Sequence, residues 1–240
     1  MATTITTTTT TITTTTDTLQ KHQIIGDILA PGTKIPYNLQ IKWPSATLCK
    51  PGQAIHRDAT QPCPEVWVDP PPENPGKAGT FVLLMVDPDL TRRHDTTFGQ
   101  VRHWLAVRAS VDSFGRVKDL DDTISPYVGP APLPVPHLPG SPHPSRYTFI
   151  LCRHKDSAPN PALHIDPDSL RDEFEGQPGE LGKASQDMID RMRFNTQRFI
   201  ERNGLEVVGA TFMFVEGNLK SGVANLGLAA QGIGDKIVGK

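Results

Sequence analysis

Short runs of apolar residues recur along this chain, and glycines and prolines separate them. In Asn38–Trp43 every second residue is apolar, which is the pattern of a strand with one buried face. Phe81–Val86 is apolar throughout and predicts a strand buried on both faces. Four further segments have a strand-like composition, at 65–69, 101–107, 146–152 and 207–215. Several short strands between turn residues predict a mainly β fold, a sandwich or a barrel, rather than an alternating βαβ sheet.

Two segments have the spacing of amphipathic helices. Asp17–Leu29 carries three isoleucines on one face, and Asp17 or Thr18 can cap its start. Ala184–Asn203 ends before Gly204 and repeats apolar residues near helical spacing, which predicts a single helix that stops at the glycine.

Three parts of the chain differ in composition. Residues 1–18 hold 13 threonines, and this polar leader is expected to be disordered because it cannot bury enough apolar area to offset the ordering entropy. Residues 19–216 form the predicted domain, with Pro130–Pro144 as a stiff loop of seven prolines. Residues 217–240 form a glycine-dotted tail, where apolar residues at helical spacing favour a weak helix and the glycines oppose it.

Charge and cysteine usage narrow the class of protein. The formal net charge is −2 and no basic tract is present, which argues against a nucleic-acid partner. No apolar run approaches ~18 residues, so no transmembrane segment is predicted. The leader lacks the features of secretory and mitochondrial targeting segments, which favours a cytoplasmic protein. Three cysteines without a C-x-x-C pair indicate neither a disulfide framework nor a zinc site, and no metal or other cofactor is predicted.

The apolar strand Phe81–Val86 runs directly into Asp87-Pro88-Asp89. Proline takes the chain out of the sheet, so both carboxylates are held at a strand end, where pockets tend to form. An ordinary turn explains the same three residues. In the next strand, alternation places His103 on a face whose other members are apolar, namely Val101, Leu105 and Val107. Protonated His103 near Asp87 or Asp89 would form a charge-assisted pair, either in a ligand site or in a structural network.

Further polar residues flank the proline loop. Tyr127-Val128-Gly129-Pro130 precedes the loop and Ser145-Arg146-Tyr147 follows it. Alternation places Ser145 and Tyr147 on one face of the strand and Arg146 on the other. A tyrosine hydroxyl and the backbone amides near Gly129 can receive phosphate or carboxylate oxygens. Tyr147 is also explained as a core aromatic residue.

In this order the motifs resemble those of the phosphatidylethanolamine-binding protein (PEBP) family. The resemblance extends from about Leu19 to Glu216 and rests on a strand into D-P-D, then His103-Trp104, then Y-V-G-P, then R-Y-x-F. The segments around Phe194-Asn195 and Gly209-Ala210-Thr211-Phe212 resemble the fungal branch of the eukaryotic members. The family implies a sandwich of two antiparallel sheets with a few flanking helices, and a pocket that accepts phosphate-like or carboxylate-like groups.

The resemblance also implies which residues line that pocket. Five residues match pocket positions of the family: Asp87, Asp89, His103, Gly129 and Tyr147. Further candidates lie close to these in sequence: Phe98, Tyr127, Pro130, His143 and Ser145.

Several positions depart from the family pattern. Leu90-Thr91 replaces the A-P of D-P-D-A-P, and Ser145 replaces the histidine of H-R-Y, with His143 two residues earlier. Phe98 replaces a tyrosine. These changes imply a less basic pocket with an altered mouth, and they favour another acidic or carbonyl ligand over a phospholipid headgroup.

Three kinds of function fit these residues. The first is a binding protein for a small anionic or carbonyl ligand, which also regulates a protease or kinase partner as some family members do. The second is an enzyme or auxiliary protein of fungal secondary metabolism that couples anhydride-type polyketide units. The third is an assembly role for the leader and the tail.

The enzyme hypothesis assigns His103 as general base, an aspartate to orient it, and Tyr147 or the Gly129 amides to an oxyanion. Ser145 as a nucleophile lacks a G-x-S-x-G elbow. A metal site of His103, Asp87 and Asp89 matches no standard spacing.

Overall fold

A computed structural model describes residues 14–72, 80–90, 93, 99–132, 144–155, 165–170 and 186–217. Phe98, His143, most of the proline loop and the predicted tail helix lie outside these residues. The described residues form ten strands. They are β1 (Asn38–Trp43), β2 (Ala46–Leu48), β3 (Gln53–Ala54), β4 (Glu65–Asp69), β5 (Phe81–Asp87), β6 (Val101–Val111), β7 (Val117–Lys118), β8 (Thr123–Ser125), β9 (Ser145–His154) and β10 (Leu205–Val215).

A small antiparallel sheet of order β2-β1-β4 covers one face of a larger sheet. Leu39, Ile41 and Trp43 of β1 are buried and alternate with half-buried neighbours, which confirms the alternation in the sequence. They pack into one apolar core with the larger sheet, where the rings of Trp43 and Phe149 lie 6.0 Å apart.

The larger sheet has the order β3-β10-β9-β5-β6-β7, and β8 pairs with β6. Its pairs are antiparallel except for β3 with β10. All seven residues of β5 are buried: its odd-numbered apolar residues face the small sheet, and its even-numbered ones face a second core. The prediction of a strand buried on both faces, and of a mainly β sandwich, is confirmed.

Helices cover the second face of the larger sheet. They are α1 (residues 14–21), α2 (Ile24–Asp27), α3 (Gln186–Arg191) and α4 (Thr196–Arg202), and short 3-10 turns form at Arg57–Thr60 and Pro167–Ser169. In the described part of the chain, no helix is long and apolar enough to cross a membrane.

The first predicted helix, Asp17–Leu29, is wrong in its extent. α1 includes residues 14–16, so the predicted capping residues lie inside it, and the helix is interrupted by Gln23 with a φ of 60°. Thr15 is buried, and its hydroxyl donates to Asn38 Oδ1 at 2.6 Å. Residues 14–18, which the polar composition assigned to the disordered leader, therefore belong to the folded part of the chain. Tertiary contacts such as that of Thr15 with Asn38 hold them there.

The second predicted helix, Ala184–Asn203, is two short helices. Arg193 between them has a φ of 55°, and Phe194 exchanges two backbone hydrogen bonds with Gln100 at 3.0 and 3.1 Å. The Asn195 side chain then accepts a hydrogen bond from the Arg198 amide and caps α4. Pairing with a residue far away in sequence breaks the helix, which the local spacing of apolar residues cannot show.

Candidate functional site

Three strand ends meet at one edge of the larger sheet. β5 ends at Asp87, and its neighbours β6 and β9 run antiparallel to it, so both begin at this edge. Asp87 pairs with Val101 of β6. This register brings His103, near the start of β6, and Tyr147, near the start of β9, to the end of β5.

A β-bulge decides where His103 points. Met85 pairs with Trp104 and Val86 with Arg102, so His103 is an extra residue between two ladder pairs. A bulge turns two successive side chains to the same face. The His103 ring accordingly meets the Tyr147 ring edge-on, at 5.1 Å between centroids, in the direction of the small sheet.

The alternation that grouped His103 with Leu105 and Val107 is therefore wrong. Leu105 and Val107 belong to the core under the helices, and Arg102 lies on that side too, 5.2 Å from the Phe194 ring. An inserted residue shifts the period by one, and nothing local in the sequence marks the insertion.

The His103 imidazole is buried and neutral. Its Nδ1 lies 2.9 Å from the Val128 carbonyl oxygen, which can only accept, so Nδ1 carries the proton and Nε2 keeps a lone pair. Burial lowers the pKa of His103 to about 4, and the positive charge of Arg191 acts in the same direction. The predicted ion pair between protonated His103 and an aspartate is thus wrong at neutral pH, because an uncharged ring is favoured in this buried position.

Asp87 lies at the end of β5 and is almost fully buried. Its Oδ1 accepts a hydrogen bond from the Asp89 amide at 2.8 Å, and its carboxyl group interacts with the Tyr147 hydroxyl. Burial, followed by the neighbouring Asp89 charge, raises the pKa of Asp87 to about 7. Near neutral pH, Asp87 can therefore act as a proton donor as well as an acceptor.

Tyr147 links the strand ends to the loop after β8. Its hydroxyl oxygen accepts a hydrogen bond from the Ala131 amide at 3.2 Å, while its ring packs against His103. Burial raises the pKa of Tyr147 well above its usual value, and the Asp87 carboxylate raises it further. The hydroxyl therefore stays protonated and can donate toward Asp87.

Asp89 has a different environment from Asp87. Its Oδ2 accepts from Arg146 Nε and its Oδ1 from Arg146 Nη2, both at 2.8 Å, and the Arg146 amide donates to Oδ2 at 3.1 Å. Arg146 Nη1 lies 2.8 Å from Asp27 Oδ2 and so connects this pair to the last residue of α2. The arginine occupies both carboxylate oxygens of Asp89, whose place in a ligand site stays a prediction.

The loop with Gly129 and Pro130 packs on the 3-10 turn Arg57–Thr60. A Cβ at Gly129 would lie 2.9 Å from both Gln61 Cα and the Thr60 carbonyl oxygen, which explains the glycine. Gln61 Nε2 donates to the Pro130 oxygen at 3.0 Å. The turn therefore forms a wall beside the loop that reaches Tyr147.

Tyr127 braces the same wall. Its hydroxyl donates to the Thr60 carbonyl oxygen at 2.6 Å and accepts from Trp43 Nε1 at 3.3 Å. These contacts use the Tyr127 hydroxyl inside the protein, and a ligand contact of Tyr127 stays a prediction.

The PEBP family model matches residues 27–189 of this chain. The chain belongs to the phosphatidylethanolamine-binding protein family.

Solved structures of this family share the fold. A PEBP from Plasmodium vivax superposes with a TM-score of 0.57 at 18% identity, covering 85% of this chain and 98% of that one. A PEBP from Plasmodium falciparum gives 0.53 at 21%, covering 83% and 96%. A carboxypeptidase Y inhibitor, solved in complex with its cognate proteinase, gives 0.56 at 18%, covering 84% and 94%. Identities of this size show a shared fold alone.

For this PEBP-family chain, the correspondence of Ser145 with the histidine of H-R-Y stays a prediction. Ser145 is buried, and its hydroxyl lies 3.5 Å from the Asp89 carbonyl oxygen. The next residue, Arg146, points to the opposite face of β9. Phe98 and His143, the other two substitute positions, lie outside the described residues. Among the residues that are described, no group of three His, Cys, Asp or Glu side chains could hold a metal ion.

Two arginines act on the candidate site in ways that no local pattern in the sequence predicts. Arg146 was expected on the face away from Tyr147, which is confirmed, but its pairing with Asp89 across 57 residues has no local signal. Arg57 lies 90 residues before Tyr147 in the sequence, in a segment without a motif, and yet its charge acts on the Tyr147 hydroxyl.

Proposed function

We propose that this protein binds a small anionic ligand, phosphate-like or carboxylate-like, or a carbonyl ligand, at the edge where β5, β6 and β9 meet. One observation carries the proposal: Tyr147 interacts with Asp87 through its hydroxyl and packs on His103 through its ring. Three polar side chains thus converge at a strand edge next to a glycine-containing loop, as expected for a small site with a few placed polar groups.

The protonation states favour an oxygen-rich ligand. A deprotonated Asp87 would repel an anion, whereas a protonated Asp87 can donate a hydrogen bond to a phosphate, carboxylate or carbonyl oxygen. The pKa of Asp87 of about 7 makes the protonated form available near neutrality. We therefore expect anion binding to take up a proton and to be tighter at mildly acidic pH than above pH 7.

Ligand titrations of wild type and Tyr147→Phe test this proposal. Isothermal titration with inorganic phosphate, phosphoethanolamine and acetate, below and above the pKa of Asp87, should show binding that weakens as pH rises. Tyr147→Phe removes one hydroxyl and should weaken binding roughly tenfold. Tyr37→Phe is the matched control, because it removes a hydroxyl from a half-buried tyrosine directly before β1. Equal binding by Tyr147→Phe and Tyr37→Phe, or the absence of binding by wild type, contradicts the proposal.

A second candidate function is general acid–base chemistry at the same site. The observation that favours it is a carboxyl group with a pKa of about 7 that interacts with Tyr147, whose ring also packs on a neutral imidazole, since a proton-transfer group works best when its pKa is near the working pH. Turnover of an anhydride or ester substrate should fall by about 10² or more in Asp87→Asn. Roles in fungal secondary metabolism or in regulating a protease or kinase stay predictions.

A further inference from the structure

Arg57 begins the 3-10 turn that walls the proposed site. Two residues at the end of this turn lie so close to Gly129 that a Cβ there would be 2.9 Å from the Thr60 oxygen and from Gln61 Cα, and Gln61 Nε2 donates to the Pro130 carbonyl oxygen. The next residue of that loop, Ala131, donates its amide to the Tyr147 hydroxyl. A continuous set of short contacts therefore connects the turn that carries Arg57 to the centre of the site.

The guanidinium of Arg57 is buried but incompletely paired. Its side chain is only 11% exposed, and its Nη1 lies 3.3 Å from the more exposed carboxylate of Asp58. Its Nε is shielded from solvent and meets no hydrogen-bond acceptor among the described residues. A buried charged donor without an acceptor is costly, so such a donor points to an acceptor other than the described residues, such as a bound ligand.

The positive charge of Arg57 acts on the proposed site. It opposes the rise in the pKa of Tyr147 that burial and Asp87 produce. The other arginines described around the site are engaged: Arg146 holds Asp89 and Asp27, and Arg191 holds the carboxylate of Asp187 and the Pro126 carbonyl. Arg57 Nε, by contrast, meets no acceptor among the described residues, and the Arg57 charge acts on the Tyr147 hydroxyl of the proposed site.

We propose that Arg57 is a specificity-determining residue that receives an oxyanion, through its guanidinium, at the proposed site of Asp87, His103 and Tyr147. The inference rests on the proposed function and names the ligand class: an anion with at least two oxygens, such as a phosphate, which the fork of an arginine recognises. Arg57 would supply the positive charge that an acid-containing site otherwise lacks, and neutral carbonyl compounds would gain little from it.

The test is titration of the full chain with inorganic phosphate at constant pH, for wild type and three variants. Arg57→Gln should weaken phosphate binding roughly tenfold or more, because a hydrogen-bonded charge is lost. Arg57→Lys keeps the charge without the fork and should give an intermediate loss. Arg108→Gln removes an exposed arginine that pairs with Asp122 and should bind phosphate like wild type. Added salt should weaken binding by wild type more than binding by Arg57→Gln.

The outcomes separate this inference from the proposed function. If wild type and Arg57→Gln bind phosphate equally, the role of Arg57 is overturned, while the proposed function still stands. No binding of phosphate, phosphoethanolamine or acetate by wild type overturns the proposed function, and the inference with it, whereas binding of acetate without phosphate overturns the inference alone. Circular dichroism checks that each variant folds. If Arg57→Gln does not fold, Arg57→Lys decides: weaker binding supports the inference, and wild-type affinity overturns it.

Discussion

Asp89 and Arg146 form a buried ion pair in which two guanidinium nitrogens each donate to a separate carboxylate oxygen at 2.8 Å. Neither side chain is more than 1% exposed. Removing one partner from such a pair leaves the other charge buried without compensation. The pair and its link to Asp27 connect the end of β5 to the end of α2.

Asp89→Asn should therefore lower the free energy of unfolding by about 3–5 kcal/mol, measured by urea denaturation. The matched control is Glu206→Gln, which breaks an exposed ion pair with Arg153. Arg153 lies in β9, the strand of Arg146, and loss of this exposed pair should lower the free energy of unfolding by less than about 1 kcal/mol. Similar losses in the two variants would contradict the prediction that the buried Asp89–Arg146 pair matters more for stability than an exposed pair.

Asp87 should make the protein less stable as pH rises. Its pKa is about 7 in the folded state against an ordinary value of 3.8, so the folded state binds this proton more tightly than the unfolded state. The stabilisation from the protonated Asp87 carboxyl is therefore complete when the pH is below the ordinary pKa of 3.8. It is lost as the pH rises toward 7, at no more than about 1.4 kcal/mol per pH unit. The difference in unfolding free energy, Asp87→Asn minus wild type, should increase with pH across this window. Urea unfolding at several pH values measures it, and a pH-independent difference would contradict the shift.

His103 should act in the opposite direction. Its pKa is about 4 in the folded state against an ordinary value of 6.5, so the unfolded state binds the proton more tightly. The stability contributed by the neutral ring is present above the ordinary value and is lost as pH falls toward 4. His103→Gln, which keeps a donor for the Val128 carbonyl, should lose stability less than wild type on acidification. A direct NMR titration that finds an ordinary His103 pKa would rule this out.

Gly129→Ala should disturb the proposed site through its backbone. The added methyl group would lie 2.9 Å from backbone atoms of Thr60 and Gln61, which cannot move aside as a side chain can. We expect a loss of about 1–3 kcal/mol in unfolding free energy together with weaker phosphate binding. In the control Gly32→Ala, the methyl group meets open space and only the φ of +79° is strained. That variant should lose stability but bind phosphate normally, and normal binding by both would place Gly129 outside the site.

Local patterns in the sequence determined six of the ten described strands, namely β1, β4, β5, β6, β9 and β10, but not the short strands β2, β3, β7 and β8. Alternation in β1 and the continuous apolar run of β5 were sufficient because burial on one or both faces is a property of neighbouring residues. The opposite faces of Arg146 and Tyr147 followed from the same rule. The order of the motifs also indicated the PEBP family, to which the chain belongs.

The tertiary structure alone decided how those residues meet. The bulge at His103, the pairing of Asp89 with Arg146, and the approach of Arg57 to Tyr147 depend on register and on contacts between residues far apart in sequence. Burial raises the pKa of Asp87 to about 7 and lowers the pKa of His103 to about 4. This burial also arises only when the sheets and loops pack. A single chain segment carries no signal of these contacts, because the partner atoms come from other strands.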